Sequence, residues 1–137
     1  MIFLDANYII ALFVDNHKYY KRANKIYEDI KDQDLIISNS IILEVMTVLN
    51  IKLKVSKEKL EEIYNRMNNG SFGIVEDISV YDDALIRQIS YFPDRLPFFD
   101  CLYIELMDQM AIKKIATFDK HFNNKEVEVI GNKYYNI

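Results

Sequence analysis

Short unbroken runs of hydrophobic residues alternate along this chain with longer stretches in which apolar positions recur every three or four residues. Ile2, Phe3 and Leu4 stand together without polar alternation. That is the pattern of a strand covered on both faces, as the central strand of a parallel sheet must be. Leu35, Ile36 and Ile37 repeat it, as do residues 114–118 and, more briefly, 127–130. Residues 8–14 leave the first strand as a short apolar helix. After a turn at Asp15, Asn16 and His17, the positions Tyr19/Tyr20, Ala23, Ile26/Tyr27 and Ile30 predict a second helix by their spacing. Ser38, Asn39 and Ser40 supply cap residues for a third helix over 41–53, apolar at its start except for Glu44. Residues 56–67 carry a narrow stripe (Leu60, Ile63, Tyr64, Met67) on a charged surface, which predicts a helix packed on one side only. Residues 72–78 read as a strand, and Ser79-Val80-Tyr81-Asp82 as a capping box that opens a helix to about residue 89. Two prolines mark 91–97 as a loop before a helix over 98–111. Strands alternating with helices predict a three-layer α/β/α domain with a mainly parallel central sheet, a single domain over residues 1–137.

Composition changes this picture in several ways. No apolar run reaches the ~18 residues of a membrane span, so a soluble protein without membrane contact is expected. The single cysteine, Cys101, cannot form an internal disulfide, and a strand starting at Ile2 leaves no room for a signal peptide. A reducing cytoplasm is the expected location. The net charge of −4 argues only weakly against a nucleic-acid partner, because two bound divalent cations would cancel it. Gly70, Gly73 and Gly131 are the only glycines and form no phosphate-binding loop, which excludes a dinucleotide-binding fold.

Four acids stand where a purely structural role fits least well. Asp5 and Asp119 each end an apolar strand, Glu44 interrupts an apolar helix, and Asp100 lies in the first turn of the helix after Pro97. In a parallel sheet the carboxyl ends of the strands share one edge, and the following helices begin there. The four acids are therefore expected to converge. Each also has a plainer reading: Asp100 as a helix-start residue, Asp119 as a turn or cap, Asp5 as a cap of the first helix. Glu44 resists such a reading, since Ser40, Ile41, Thr47 and Val48 flank it on its helix face and a buried ionised Glu needs a partner. Four acids sharing one edge repel one another unless cations bind, and oxygen ligands select hard ions such as Mg²⁺ or Mn²⁺. His17, His121 and Cys101 lack zinc-ligand spacing and read as surface, loop and core residues respectively, with His121 near enough to Asp119 to touch substrate.

The strand before Asp5-Ala6-Asn7, the Glu44 helix after Ser38-Asn39-Ser40, the segment Phe99-Asp100-Cys101-Leu102-Tyr103-Ile104 and the segment Thr117-Phe118-Asp119-Lys120-His121-Phe122 occur in one order. That ordered set resembles PIN domains over nearly the whole chain, most of all the small VapC-type toxins of toxin-antitoxin modules. One departure is Ala6, where many members carry a hydroxyl residue. The resemblance implies that Asp5, Glu44, Asp100 and Asp119 are catalytic metal-binding carboxylates, supported by Asn7 and Thr117. It further implies Mg²⁺- or Mn²⁺-dependent hydrolysis of RNA phosphodiester bonds, an antitoxin protein as partner, and a homodimer. Lys52, Lys54, Lys57, Lys59, Lys120 and Lys125 are the candidates for gripping RNA, and Tyr8, Phe98 and Phe99 for stacking on its bases. The alternative is a PIN-like module that binds RNA or protein without cutting. A phosphatase of the haloacid-dehalogenase type would need an Asp at the position of Asn7.

Overall fold

The structure is a computed structural model in which residues 1–131 are described; the last six residues of the expected domain lie outside the described residues. Five parallel strands, β1 (Ile2–Leu4), β2 (Leu35–Ser38), β3 (Gly73–Val75), β4 (Lys114–Ala116) and β5 (Glu128–Val129), form one sheet in the order β3-β2-β1-β4-β5. The helices are α1 (Ala6–Phe13), α2 (Tyr20–Ile30), α3 (Asn39–Thr47), α4 (Lys57–Met67), α5 (Tyr81–Tyr91) and α6 (Phe98–Gln109). This is the α/β class with a parallel central sheet that the alternation of runs predicted.

The order of the strands follows from connection handedness. Right-handed crossovers that step outward from β1 through β2 to β3 set the intervening helices on one face, and the return crossover from β3 to β4 sets α5 and α6 on the other. Accordingly α1 packs against α2 and α3, while α5 packs along α6. Because strand side chains alternate, Phe3 points to the α6 face, where its ring lies 5.4 Å from that of Tyr103, and Ile2 and Leu4 point to the opposite one. All three are essentially inaccessible. Each such burial contributes about 1.5–3 kcal/mol, which is why β1 has no polar position until Asp5.

Several local expectations are corrected. Ser38 supplies no side-chain cap, and its buried hydroxyl has no hydrogen-bond partner among the described residues. The start of α3 is held from across the chain by the fully buried Asp77, whose carboxylate accepts from the Ser40 N–H at 3.2 Å and the Ser40 hydroxyl at 2.9 Å. Asn39 Oδ1 accepts in return from the Asp77 N–H at 2.8 Å. The expected strand over 72–78 stops at Val75 because the chain turns there to deliver Asp77. Ser79 does not cap α5 either; its N–H donates to Glu76, and a 3₁₀ turn (Ile78–Val80) leads into the helix. Past Thr47 the third helix continues as a π turn, Val48–Lys52.

Replacing Asp77 by Ala strands a buried hydroxyl and a helix-start N–H together. A loss of about 1–3 kcal/mol of folding stability is expected in urea denaturation, and an unchanged midpoint would refute this account of the clasp.

Candidate metal centre

Strand order reverses at β1, where the next strand in sequence pairs on one side and β4 on the other. The carboxyl ends of two neighbouring strands diverge there, and open α/β sheets form their crevices at such points. Asp5 ends β1 and Thr117 follows β4. Their register, Leu4 beside Ala116, brings together side chains that are 112 residues apart in sequence.

Asp5 is the N-cap of α1, its Oδ1 accepting from the Ala6 N–H at 2.8 Å. Its Oδ2 accepts from the Thr117 hydroxyl at 2.8 Å and from Asn7 Nδ2 at 3.2 Å. The hydroxyl that Ala6 lacks is thus supplied by Thr117. Asn7 Oδ1 in turn accepts from the Phe118 N–H at 3.0 Å, and Thr117 Oγ1 accepts from the Asp119 N–H at 3.0 Å. The two supporting residues therefore tie the end of β1 to the end of β4 and fix the Asp5 carboxylate between them.

Glu44 reaches the same place from α3. Tyr103, fully buried on α6, donates its hydroxyl to Glu44 Oε1 at 2.8 Å. Asp100 enters from the first turn of α6, which has Pro97 as its uncapped start, so Asp100 is not tied up in capping. Asp119 does cap, accepting from the His121 N–H at 2.9 Å to open a 3₁₀ turn, Lys120–Phe122. That turn swings the His121 ring back so that Nδ1 lies 2.8 Å from Asp100 Oδ2 and 3.3 Å from Asp119 Oδ1.

All four carboxylates line one cavity of about 370 Å³, together with Asn7, His17 and Lys52. Their electrostatics follow from that enclosure. Burial pushes Asp5 up to about 7, against the lowering effect of the Thr117 hydroxyl and with the charges of Asp100 and Glu44 adding to the rise. Burial likewise lifts Asp100 to about 6, against the lowering effect of its His121 hydrogen bond and with Asp119 adding to the rise. Glu44 is raised by burial, opposed by the Tyr103 hydroxyl, with Asp100 and Asp119 adding to it. Among the described residues, the only cationic side chain within ion-pair distance of any of the four is His121. A set of mutually repelling, partly desolvated carboxylates, with no lysine or arginine among the described residues within ion-pair distance, suits a divalent cation.

Sequence reasoning missed three participants. Tyr103 was detectable as the residue three positions after Asp100, on the same face of α6. Asp77 had no local signal, and His121 only its nearness to Asp119. The donor atoms of Asp100, Asp119 and His121 all lie within 4.8 Å of one another, so a ring nitrogen stands beside two of the expected oxygen donors.

The lysines divide differently from expectation. Lys52 lines the cavity, but Lys57 and Lys59 are spent on Glu61 and Glu62 along α4. Lys120 and Lys125 border a second groove with Arg95, and His121 borders both that groove and, through Asp100, the cavity. Tyr8 is withdrawn from any stacking role: it is fully buried and donates to the Ala23 carbonyl. Phe98 packs edge-on between Tyr81 and Phe99, which leaves Phe99 as the exposed ring of the three.

Three solved structures share this architecture. The Mycobacterium tuberculosis VapC20 toxin, described as cleaving the sarcin-ricin loop, aligns with a TM-score of 0.79 at 16% identity, over 89% of this chain and 92% of its own. FitAcB from Neisseria gonorrhoeae aligns at 0.69 and 18% identity, over 95% and 96%. PAE2754 from Pyrobaculum aerophilum aligns at 0.63 and 18% identity, over 97% and 91%. At such identities the likeness is one of fold. No curated protein sequence matches the chain. Independently of the fold, the sequence profile of the PIN domain matches residues 2–128, and the chain belongs to that family.

Proposed function

We propose that this PIN domain protein is a divalent-metal-dependent endoribonuclease and the toxin of a toxin-antitoxin pair. The observation that carries the reading is the shared cavity of Asp5, Glu44, Asp100 and Asp119 at the point where strand order reverses, with no lysine or arginine among the described residues within ion-pair distance of them. A bound Mg²⁺ or Mn²⁺ would supply Lewis acidity and neutralise charge at the phosphodiester under attack. The four carboxylates would hold it, and the chain's other residues serve that arrangement. Thr117 and Asn7 keep the Asp5 carboxylate from rotating, and Tyr103 does the same for Glu44. Lys52 at the cavity and Lys120 and Arg95 along the adjoining groove give phosphates of the RNA a positive path to the acids, while Lys125 is paired with Asp94 at 3.1 Å.

The VapC20 and FitAcB likenesses support a toxin role with a protein antitoxin, and a homodimer completes the proposal. Exposed apolar side chains of the kind such contacts cover occur in two places: Leu43, Ile51 and Leu53 around the end of α3, and Ile86, Ile89 and Phe92 along α5 and just past its end. No described helix is long and apolar enough to cross a membrane, and we place the protein in the cytoplasm together with its RNA substrate.

The test is incubation of purified protein with defined structured and single-stranded RNAs, with Mg²⁺, with Mn²⁺ and with EDTA, beside Asp100→Asn. Cleavage that needs the cation and vanishes in the variant supports the reading. Binding without cleavage under every condition would replace it with a non-catalytic module. Cleavage is also expected to weaken steeply between low and moderate salt, as phosphate contacts by lysines require.

A further inference from the structure

His121 stands against the carboxylates by construction. Its N–H donates to Asp119 Oδ1 at 2.9 Å, so the backbone that positions the imidazole is pinned to one of the acids it faces. Its Nδ1 then meets two carboxylate oxygens from different elements, Asp100 Oδ2 at 2.8 Å and Asp119 Oδ1 at 3.3 Å. The Asp100 contact is a hydrogen bond, and the longer Asp119 contact leaves the same nitrogen facing a second carboxylate oxygen. A cation would satisfy all three atoms together. Donors at neighbouring corners of an octahedron with bonds of about 2.1 Å lie roughly 3 Å apart, close to the 2.8 and 3.3 Å that separate Nδ1 from its two carboxylate oxygens. The ring is half exposed.

We propose that His121 is a nitrogen ligand to the divalent cation and that it biases the site toward Mn²⁺ over Mg²⁺. The inference rests on the metal-dependent reading above and adds to it a donor and a preference. Imidazole nitrogen binds transition ions better than it binds Mg²⁺, which prefers oxygen and gives up its water reluctantly. One nitrogen among carboxylates therefore raises Mn²⁺ affinity selectively.

The probe is Mn²⁺ itself, bound to the full chain without RNA at about pH 8, since metal ligands bind in their deprotonated forms. Pulsed electron paramagnetic resonance of the bound Mn²⁺ should show nitrogen modulation from a directly coordinated imidazole, and His121→Asn should abolish it. In parallel titrations the variant should lose roughly tenfold in Mn²⁺ affinity while Mg²⁺ affinity changes little. Thermal melting of the cation-free variant monitors folding, and Asp100→Asn serves as the control that weakens both ions. Bound Mn²⁺ without nitrogen modulation, or an equal loss for both ions in His121→Asn, would reduce His121 to a brace for the carboxylates and overturn this inference alone. Failure of the wild-type chain to bind Mn²⁺ or Mg²⁺ would overturn the inference and the metal-dependent function together.

Discussion

Asp5→Asn is expected to eliminate RNA cleavage and, at the same time, to make the cation-free protein more stable near pH 8. The two effects have one cause. Asp5 is buried beneath the cavity with Asp100 and Glu44 nearby, which pushes it up to about 7. Above that pH the folded chain must carry a desolvated charge that the unfolded chain carries freely. Each pH unit by which a group is raised corresponds to about 1.4 kcal/mol, so the charged form costs the fold on the order of 4 kcal/mol. An amide removes that cost but reproduces the bonds to Thr117 and Asn7 only partly, and a net gain of about 1–2 kcal/mol is the expected balance. Catalysis has no such compensation. An amide carries no charge for a cation, and a loss on the order of 10³-fold or more is expected. Cleavage rates and chemical denaturation in EDTA measure the two halves. A variant that cleaves at the wild-type rate would remove Asp5 from the site, and a destabilised variant would show that its hydrogen bonds outweigh its buried charge.

The second large effect is on the wild-type protein. In EDTA its melting temperature should fall as pH rises from about 4 to 7.5, and Mg²⁺ or Mn²⁺ should restore it most at the high end. Asp5 and Asp100 rise to about 7 and about 6 in the folded state, from an ordinary value of 3.8. Between those limits the folded chain binds more protons than the unfolded chain. The stability they contribute is complete below the ordinary value and is lost as pH passes through about 6 and then 7. His121, raised mainly by its hydrogen bond to Asp100, loses its contribution in the same direction. Glu105, held low against its burial by Gln109 and Arg87, acts in the opposite sense only in the ordinary glutamate range and below, and does not cancel this window. Cation binding requires the carboxylates deprotonated, so the cation should raise the melting temperature little at pH 5 and by several degrees at pH 7.5. A melting temperature that climbs through this window without cation would contradict the electrostatics described here.

The parts of the molecule that could be read directly from the chain are those governed by local period. β1 is an unbroken apolar run because both its faces are covered, β2 and β4 are apolar but for Ser38 at the end of one and Lys114 at the start of the other, and the Ala23, Ile26, Ile30 stripe of α2 is buried at the positions its spacing indicated. The edges of the sheet were harder. β3 is only Gly73–Val75 and β5 only Glu128–Val129, and neither is covered on both faces as β1 is, so the signal of a buried run is weak. Caps failed where a distant residue took over the role. Ser38 and Ser79 have the chemistry of N-caps, yet Asp77 and Glu76 supply the acceptors, and in the Asp77 case the partner lies 37 residues away.

By itself, then, the sequence determined that short buried strands alternate with helices, and so that the carboxyl ends of β1 and β4 and the starts of α3 and α6 lie along one edge of a parallel sheet. That much follows from backbone period and from the handedness of crossovers, which are properties of each segment and its neighbour. Only the tertiary structure decided which atoms meet there: Thr117 on Asp5, Tyr103 on Glu44, and His121 between Asp100 and Asp119. These contacts depend on β4 pairing with β1 instead of with the strand before it in sequence, and no local pattern encodes a pairing that joins residues more than a hundred positions apart.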